Sequence, residues 1–201
     1  IWLREATGAK NLCIAGGVAL NCVANGKLLR EAGYDNVWIQ PAAGDDGIAI
    51  GCAYYGWLEV LKQRRGFVMD HSYVGKPYNE KDVATELQKF LVRIQVEARR
   101  SESVCRDTAK LLADQKVIGW FQDRSEFGPR ALGNRSLIAD PRKPEMKDIL
   151  NSRVKHRQAF RPFAPVVLAE RAGEIFEGDG ESPFMLLAKA VRPAWRDKIP
   201  A

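Results

Sequence analysis

Apolar residues in the first third of the chain alternate between short continuous runs and helical spacing. The runs NLCIA (11–15) and NVWIQ (36–40) have the length of buried strands, and each ends at glycine or proline. Between them, residues 20–31 repeat with a helical period, and Gly33 is placed to end that helix. Residues 48–62 form a second, Gly/Ala-rich apolar helix. Strand, helix and strand with short connections predict a parallel unit with a right-handed crossover.

The periodicity is lost between residues 63 and 80, where charge, glycine and proline accumulate. We therefore predict two domains, 1–68 and 69–201. Beyond the boundary, the pattern predicts helices at 80–90 and 102–114 (capped by Ser101 or Ser103), a strand at 116–121, a helix opened by Pro144 that buries Met146, Ile149, Leu150 and Val154, and strands at 164–169 and 184–191.

The composition is that of ordinary soluble globular material: 201 residues, 46% apolar and 28% charged. We see no membrane span and no signal peptide. The chain starts at Ile1 without a typical beginning, so we interpret it as a fragment. Cys13, Cys22 and Cys52 lie in apolar runs, which favours reduced core thiols and a cytoplasmic setting.

Positive charge is concentrated in one segment. Between Asp123 and Arg161, ten Lys/Arg face five Asp/Glu, interleaved with glycine, proline and aromatic residues. This distribution of residue types suggests guanidinium groups fixed around an anion, because arginine binds phosphate or carboxylate through two hydrogen bonds. A basic, solvated face is the alternative. We find no nucleic-acid-binding pattern, so a small phosphorylated ligand is expected and nucleic acid is not.

The sequence GGVALN (16–21) lies between a strand and a helix. Backbone amides at such a turn favour a phosphate or another anion, and glycine allows close approach. The alternative is a plain tight turn, since the sequence is neither a Walker A motif nor a dinucleotide fingerprint.

Two adjacent carboxylates follow in the loop GDDG (44–47), directly before a helix. One interpretation is helix capping by Asp45 or Asp46. The other is an oxygen ligand for a cation that also contacts nucleotide phosphates. His71 and His156 have no partner in the sequence, and we assign neither as a base or a ligand.

Three segments together resemble a known family: IAGGVALNCVANGKL, PAAGDDGIAIGCAYYG, and WFQDRSEFGPRALGNRSLIADPR with LN and VKHRQAFRPFAP. They are similar to the nodulation, cephamycin and aminoglycoside O-carbamoyltransferases. The resemblance implies an α/β fold class, with the end of an actin/Hsp70-like ATPase (Kae1-like) domain followed by the first part of a YrdC-like domain.

The resemblance also implies a chemistry. The YrdC-like domain would form carbamoyladenylate from carbamoyl phosphate and ATP, and the first domain, with Fe(II) or a similar divalent cation, would transfer the carbamoyl group to a small-molecule hydroxyl. The implied catalytic residues are Arg124, Lys155 and Arg161. The implied cofactor-binding residues are Gly16, Gly17, Asn21, Gly44, Gly47, Arg130, Arg135 and Arg157. Asp45 is the implied metal ligand.

Several questions stay open at this stage. The family's histidine metal ligands lie on an upstream HxxxH stretch that this sequence lacks, so we expect the chain alone to be inactive as a transferase. Arg124, Lys155 and Arg161 are expected to converge on one concave site. RNA-modification machinery and a non-catalytic nucleotide or anion-binding module are the alternative functions. The acceptor and a homodimer are both left open.

Overall fold

The computed structural model of this chain describes residues 1–178 and 181–201. Its α-helices are α1 (Trp2–Thr7), α2 (Cys22–Glu31), α3 (Gly47–Tyr55), α4 (Glu80–Leu91), α5 (Val104–Ala113), α6 (Met146–Ile149), α7 (Ala172–Ile175) and α8 (Pro193–Arg196). Its strands are β1 (Asn11–Ile14), β2 (Asn36–Ile39), β3 (Ile118–Phe121) and β4 (Arg135–Ile138). Short 3-10 helices cover Gly17–Leu20 and Ala169–Arg171, and π-helical turns cover Gly56–Val60 and Leu150–Val154.

The chain divides into two compact units that are discontinuous in sequence. The first unit contains Ile1–Val74, Glu126–Leu132 and Val167–Arg192, and the second contains Gly75–Ser125, Gly133–Val166 and Pro193–Ala201. The division of the family domains at 68/69 stays a prediction.

The first unit contains the predicted parallel pair. β1 and β2 run parallel in the register Asn11↔Asn36 to Ile14↔Ile39, with α2 between them in sequence. Their apolar side chains contribute to a small core of Ala19, Ile39, Ala43 and Leu186. Ala32 is the C-cap of α2, its amide donates to the carbonyl of Leu28, and Gly33 follows with φ 73°. The parallel α/β prediction is thus confirmed.

The helix predicted at 48–62 is shorter and less regular than expected. α3 covers Gly47–Tyr55 and continues as a π-helical turn, Gly56–Val60. Gly47 starts α3 in close contact with the loop before it, because a Cβ at this position would overlap the Ala42 carbonyl oxygen. Gly51 faces open space in the same helix.

We expect Gly47→Ala to lower the free energy of unfolding by about 1–3 kcal/mol, since the added methyl must displace backbone. Gly51→Ala is the matched control in the same helix, and we expect it to stabilise by about 0.4–1 kcal/mol. Urea denaturation measures both. Equal effects of the two substitutions would contradict the close contact at Gly47.

The second unit combines helices with an antiparallel hairpin. α4 begins with a capping box in which the Asn79 side chain accepts from the Asp82 amide and the Asp82 carboxylate accepts from the Asn79 amide. β3 pairs with β4 in the register Ile118↔Ile138 to Phe121↔Arg135. The sequence pattern missed β4, since RSLI begins with two polar residues and contains no apolar run. The predicted helix after Pro144 is α6 with a π-helical turn, and it buries Met146 and Leu150.

Two predicted strands are wrong. Residues 164–168 are irregular, with Val166 84% exposed, and a 3-10 helix follows. Residues 184–190 are also irregular, because Met185 has φ 54° and the polar backbone groups bond elsewhere. Ala188 N donates to the Cys22 carbonyl, and Val191 pairs with Phe176 in an isolated bridge, outside any strand. Apolar runs of this length do not distinguish a strand from a packed irregular segment.

The predicted core location of three cysteines is also wrong. Cys13 and Cys52 are exposed and Cys22 is half-buried, and all are free thiols. Cys13 lies on the exposed side of β1, where alternate residues point away from the core. Within 1–178 and 181–201, every helix is too short or too polar to cross a membrane.

Candidate functional site

The glycine turn (GGVALN, residues 16–21) and the GDDG loop (residues 44–47) are neighbours in the first unit. Both follow parallel strands, and carboxyl ends of parallel strands meet at one edge of a sheet. The Gly16 amide donates to the Ala43 carbonyl at 2.8 Å, which joins the two loops directly. Gly16 has φ 95°, and a Cβ on Gly16 or Gly17 would meet nothing within 4 Å. The turn is therefore open on the side where a ligand could approach.

Asn21 has a structural role in this turn. It is the N-cap of α2, and its Oδ1 accepts from the Ala24 amide at 3.1 Å. A second asparagine, Asn25, is buried and donates to the carbonyls of Ala19 and Leu186 at 2.8 and 3.0 Å. Both side chains fix the backbone of residues 16–21, so the shape of the turn is set before any ligand binds.

The carboxylates of the GDDG loop are exposed. Asp46 occupies the N-cap position of α3 without a side-chain capping bond, and Asp45 contributes its backbone carbonyl, which accepts from the Ile48 amide. Gly44 accepts from the Gly47 amide and closes the turn. The capping interpretation of Asp46 is therefore wrong. In the part of the chain that the structure describes, no three His, Cys, Asp or Glu side chains lie together as a metal site would require.

A loop from later in the sequence packs on these two loops. We call Glu126–Leu132 the FGPR loop, and it belongs to the first unit. Phe127 N donates to the Ser72 carbonyl at 2.7 Å, and the Tyr73 hydroxyl donates to the Leu132 carbonyl at 2.8 Å. Gly128, with φ 117°, lies where a Cβ would approach Ala42 to 3.4 Å.

Arg130 extends from the FGPR loop to the glycine turn. Its Nη2 donates to the Leu20 carbonyl at 3.1 Å, while its Nε is buried without a hydrogen bond among the described residues. The sequence grouped Arg130 with the basic residues of the following motifs. The structure places it in the first unit, next to the turn that carries Gly16, Gly17 and Asn21.

Tyr73 makes the attachment of the FGPR loop pH-dependent. Burial, and secondarily the Glu126 carboxylate, raises the pKa of Tyr73 above its usual value of 10.0. A raised pKa means that the folded state favours the protonated phenol, so this stabilisation is complete below pH 10 and decreases as the pH rises through the folded pKa.

We expect Tyr73→Phe to remove this alkaline dependence along with the hydrogen bond to Leu132. Chemical denaturation at pH 8 and above pH 10 measures it, and Tyr78→Phe serves as an exposed tyrosine control. An unchanged alkaline slope in Tyr73→Phe would contradict the assignment.

In the second unit, the loop after β3 carries Arg124. The buried side chain of Asn134 donates to the Arg124 carbonyl at 2.7 Å and accepts from Gln122 Nε2 at 3.0 Å. The guanidinium of Arg124 is exposed, with one long contact of 3.5 Å from Nη1 to the Gly75 carbonyl. The backbone is thus fixed while the charge faces solvent.

Arg135 braces the same loop. Its guanidinium donates to the carbonyls of Gln122, Asp123 and Asn134. It also lies 3.5 Å from the centre of the Phe121 ring, a cation–π contact. Several of its donors are therefore occupied by the loop that carries Arg124, which indicates a structural contribution to that loop.

Asn151 makes the hydrogen bonds that hold the basic segment, residues 155–161, in place. It is 1% exposed, and its Nδ2 donates to the carbonyls of Ala159 and Arg161 at 3.2 and 3.0 Å. Its Oδ1 accepts from Arg157 Nε at 2.7 Å, and its carbonyl accepts from the Arg157 amide at 3.0 Å. One buried side chain thus fixes the Arg157 guanidinium, six residues further along the chain, and the backbone of Arg161, ten residues further along.

The charge of Arg161 acts on the Arg157 guanidinium. The pKa of Arg157 lies below its usual value, first because the group is desolvated and second because Arg161 is close. Arg157 also lies 4.6 Å from the centre of the Phe163 ring. Among the described residues, none of the ion pairs includes Arg124, Lys155, Arg157 or Arg161. No carboxylate of the described residues therefore forms an ion pair with these four cations.

Comparison with known proteins identifies the family. The family model for the carbamoyltransferase N-terminus matches residues 2–54, and that for the carbamoyltransferase C-terminus matches residues 109–201. The chain belongs to the carbamoyltransferase family. The N-terminal match contains the glycine turn and the GDDG loop, and the C-terminal match contains the FGPR loop and all the basic candidates.

Three curated relatives are similar along nearly the whole chain. An uncharacterised Synechocystis protein is 48% identical over 196 residues, which are 96% of this chain and 32% of that protein. Nodulation protein NolO of Bradyrhizobium diazoefficiens is 45% identical over 194 residues, 95% of this chain and 35% of that protein. Nodulation protein NolNO of Sinorhizobium fredii is 44% identical over 200 residues, which are 98% of this chain and 29% of that protein. The chain spans about a third of the length of these relatives.

The basic residues that the sequence predicted as site residues of the carbamoyltransferase thus fall into three local groups. Lys155, Arg157 and Arg161 share the segment organised by Asn151, Arg124 and Arg135 share the loop between β3 and β4, and Arg130 lies in the first unit. Convergence of Arg124 with Lys155 and Arg161 on one concave site stays a prediction.

Sequence analysis missed the asparagines. Asn25, Asn134 and Asn151 are buried, and each donates to a backbone carbonyl in or beside a candidate segment. The available signal was a lone asparagine within an apolar stretch, as in ILN before Ser152. A buried polar residue must be hydrogen-bonded, so such a position indicates a specific partner elsewhere in the fold.

Proposed function

We propose that this protein takes part in ATP-dependent O-carbamoyl transfer, in which carbamoyladenylate forms from carbamoyl phosphate and ATP and the carbamoyl group passes to a hydroxyl acceptor. One observation supports it above the others: a buried asparagine bonds both the Arg157 guanidinium and the Arg161 backbone carbonyl, and neither arginine has a carboxylate partner among the described residues. Two neighbouring cations repel, and a bound anion offsets that cost.

The first step places several negative charges together. Water cleaves carbamoyl phosphate to carbamate and phosphate, and a carbamate oxygen then attacks the α-phosphorus of ATP. The bond from this phosphorus to the bridging oxygen breaks, and pyrophosphate leaves with the electron pair. Arg157, Arg161 and Lys155 would neutralise the repulsion between the substrates and the charge that develops in the transition state.

In the second step, the acceptor hydroxyl attacks the carbamoyl carbon, AMP leaves with the electron pair, and the hydroxyl proton passes to solvent. We assign the glycine turn to nucleotide binding in this step, because its glycines are open and its backbone is fixed by Asn21 and Asn25. Since both substrates of the first step are phosphorylated metabolites, we place the activity in the cytoplasm.

The described residues contain no cluster of three or more His, Cys, Asp or Glu side chains, so they do not make up a complete metal site by themselves. Neither of the steps above is derived through a metal. Asp45 as a single cation ligand remains a proposal. Its carboxylate is exposed and is not used as a helix cap.

Isothermal titration of the full-length protein with carbamoyl phosphate, ATP and inorganic phosphate tests the proposal. We expect carbamoyl phosphate to bind at least tenfold more tightly than phosphate. Equal affinities would indicate a general anion-binding module, and a stable complex with tRNA at physiological salt would favour RNA-modification machinery.

A further inference from the structure

We propose that Arg130 is a positioning residue that holds the glycine turn of the first unit. It does not bind substrate together with the basic segment of the second unit. The inference rests on the proposed function only for the identity of the nucleotide. It concerns the FGPR loop, whose residues lie in the first unit while the sequence on both sides of it belongs to the second.

The FGPR loop is attached to the first unit at both ends. Near its start, Phe127 N donates to the Ser72 carbonyl, and Ser72 is 1% exposed. At its end, Leu132 accepts from the Tyr73 hydroxyl through its carbonyl and donates from its amide to the Glu126 carboxylate at 2.9 Å. These contacts fix the loop independently of Arg130.

From this base, the loop contacts both segments that follow the parallel strands. Gly128 packs on Pro41 and Ala42, directly before the GDDG loop, and Arg130 bonds to the Leu20 carbonyl at the end of the glycine turn. The Ala43 carbonyl accepts from Gly16 and connects the two segments. The FGPR loop therefore contacts two joined segments at two points.

Of these contacts, the hydrogen bond from Arg130 to the Leu20 carbonyl is the one that acts directly on the glycine turn. A bond from a charged donor to a carbonyl is stronger than a neutral one. Leu20 immediately precedes Asn21, so the orientation of this carbonyl and that of the α2 cap are coupled through one peptide unit. The Nε of Arg130 is buried and has no hydrogen-bond partner among the described residues, so the bond to the Leu20 carbonyl is made at the cost of an unsatisfied donor.

Arg130 should consequently affect the two halves of the reaction unequally. Its loss should loosen residues 16–21 and weaken nucleotide binding there, while the segment of Asn151, Arg157 and Arg161 keeps its geometry. Loss of a residue that acts with the basic segment would instead weaken the first step and leave residues 16–21 unchanged. Lysine at position 130 can still donate to a carbonyl, so it should restore much of the effect.

Hydrogen–deuterium exchange of the full-length protein tests this, with and without AMP, the nucleotide that leaves in the second step. In Arg130→Ala, we expect amides of residues 16–21 to exchange at least tenfold faster and the AMP concentration needed to protect them to rise at least tenfold. Amides of residues 151–161 and the KM for ATP in carbamoyl-phosphate-dependent ATP–pyrophosphate exchange should change less than twofold. Arg130→Lys should recover most of the protection, and Ala131→Ser, an exposed neighbour in the same loop, should match the wild type.

Each outcome separates the two ideas. Unchanged exchange at 16–21 in Arg130→Ala overturns the positioning role. Loss of ATP–pyrophosphate exchange without a change at 16–21 assigns Arg130 to the function of the basic segment instead. If the wild type lacks ATP–pyrophosphate exchange, the proposed function fails, while the hydrogen exchange of residues 16–21 still decides the role of Arg130.

Discussion

Replacing both Arg157 and Arg161 with alanine is expected to weaken carbamoyl phosphate binding at least about 100-fold. A hydrogen bond to a charged group contributes about 1.5–3 kcal/mol, and each 1.4 kcal/mol is a factor of ten in affinity. Two such groups on one anion therefore account for about two orders of magnitude. Isothermal titration of the full-length protein measures the effect.

The same substitutions should cost about 1–3 kcal/mol of stability, because Arg157→Ala leaves the buried Oδ1 of Asn151 without its donor. Removing Arg161 should offset part of this cost. The pKa of Arg157 is lowered partly by the charge of Arg161, so removing Arg161 relieves repulsion in the free protein. Arg142→Ala is the matched control, because Arg142 already bonds the Asp140 carboxylate in the same unit. An affinity for carbamoyl phosphate that falls equally in Arg142→Ala and in the double variant would mean that only net charge matters.

Asn151→Ala is expected to have two large effects from one substitution. The change leaves the carbonyls of Ala159 and Arg161 and the Nε of Arg157 without their partner, which we expect to lower the free energy of unfolding by about 2–4 kcal/mol. It also releases both arginines, so carbamoyl phosphate affinity should fall at least about tenfold.

A control separates the two effects. Met146→Ala removes a buried apolar side chain from α6, just before the same segment, and should cost about 2–5 kcal/mol without deleting a polar contact. We expect it to retain carbamoyl phosphate affinity at a temperature where both variants are folded. Asn151→Asp keeps the acceptor for Arg157 but adds a negative charge beside the pair, so it should lose affinity as well. Normal affinity in Asn151→Asp would contradict the account.

Local patterns predicted the part of the fold that local forces determine. β1, α2 and β2 follow from short apolar runs, a helical period and the turn residues between them, and the parallel pairing follows from their order. The runs at 164–169 and 184–191 have similar composition, yet their backbone groups bond to other partners or face solvent. Strand formation requires a neighbouring strand, which the run itself does not specify.

The candidate site shows the same division. The sequence indicates which residue types are present in FGPRALGNRS, but it presents them as one basic motif. In the fold, Arg130 bonds in the first unit and Arg135 braces a loop in the second. The bond from Arg130 to Leu20 spans 110 positions and has no periodic signal. Asn151 was missed for the same reason, since its role depends on carbonyls that only the fold places around it.

Carbamoyl-phosphate-dependent exchange of labelled pyrophosphate into ATP tests the central claim most directly. It reports reversible formation of carbamoyladenylate and requires no knowledge of the acceptor. The account predicts exchange by the full-length protein only when carbamoyl phosphate is present, with a loss of at least about 100-fold in the Arg157/Arg161 double alanine variant. Exchange that is independent of carbamoyl phosphate, or that persists in the double variant, would contradict it.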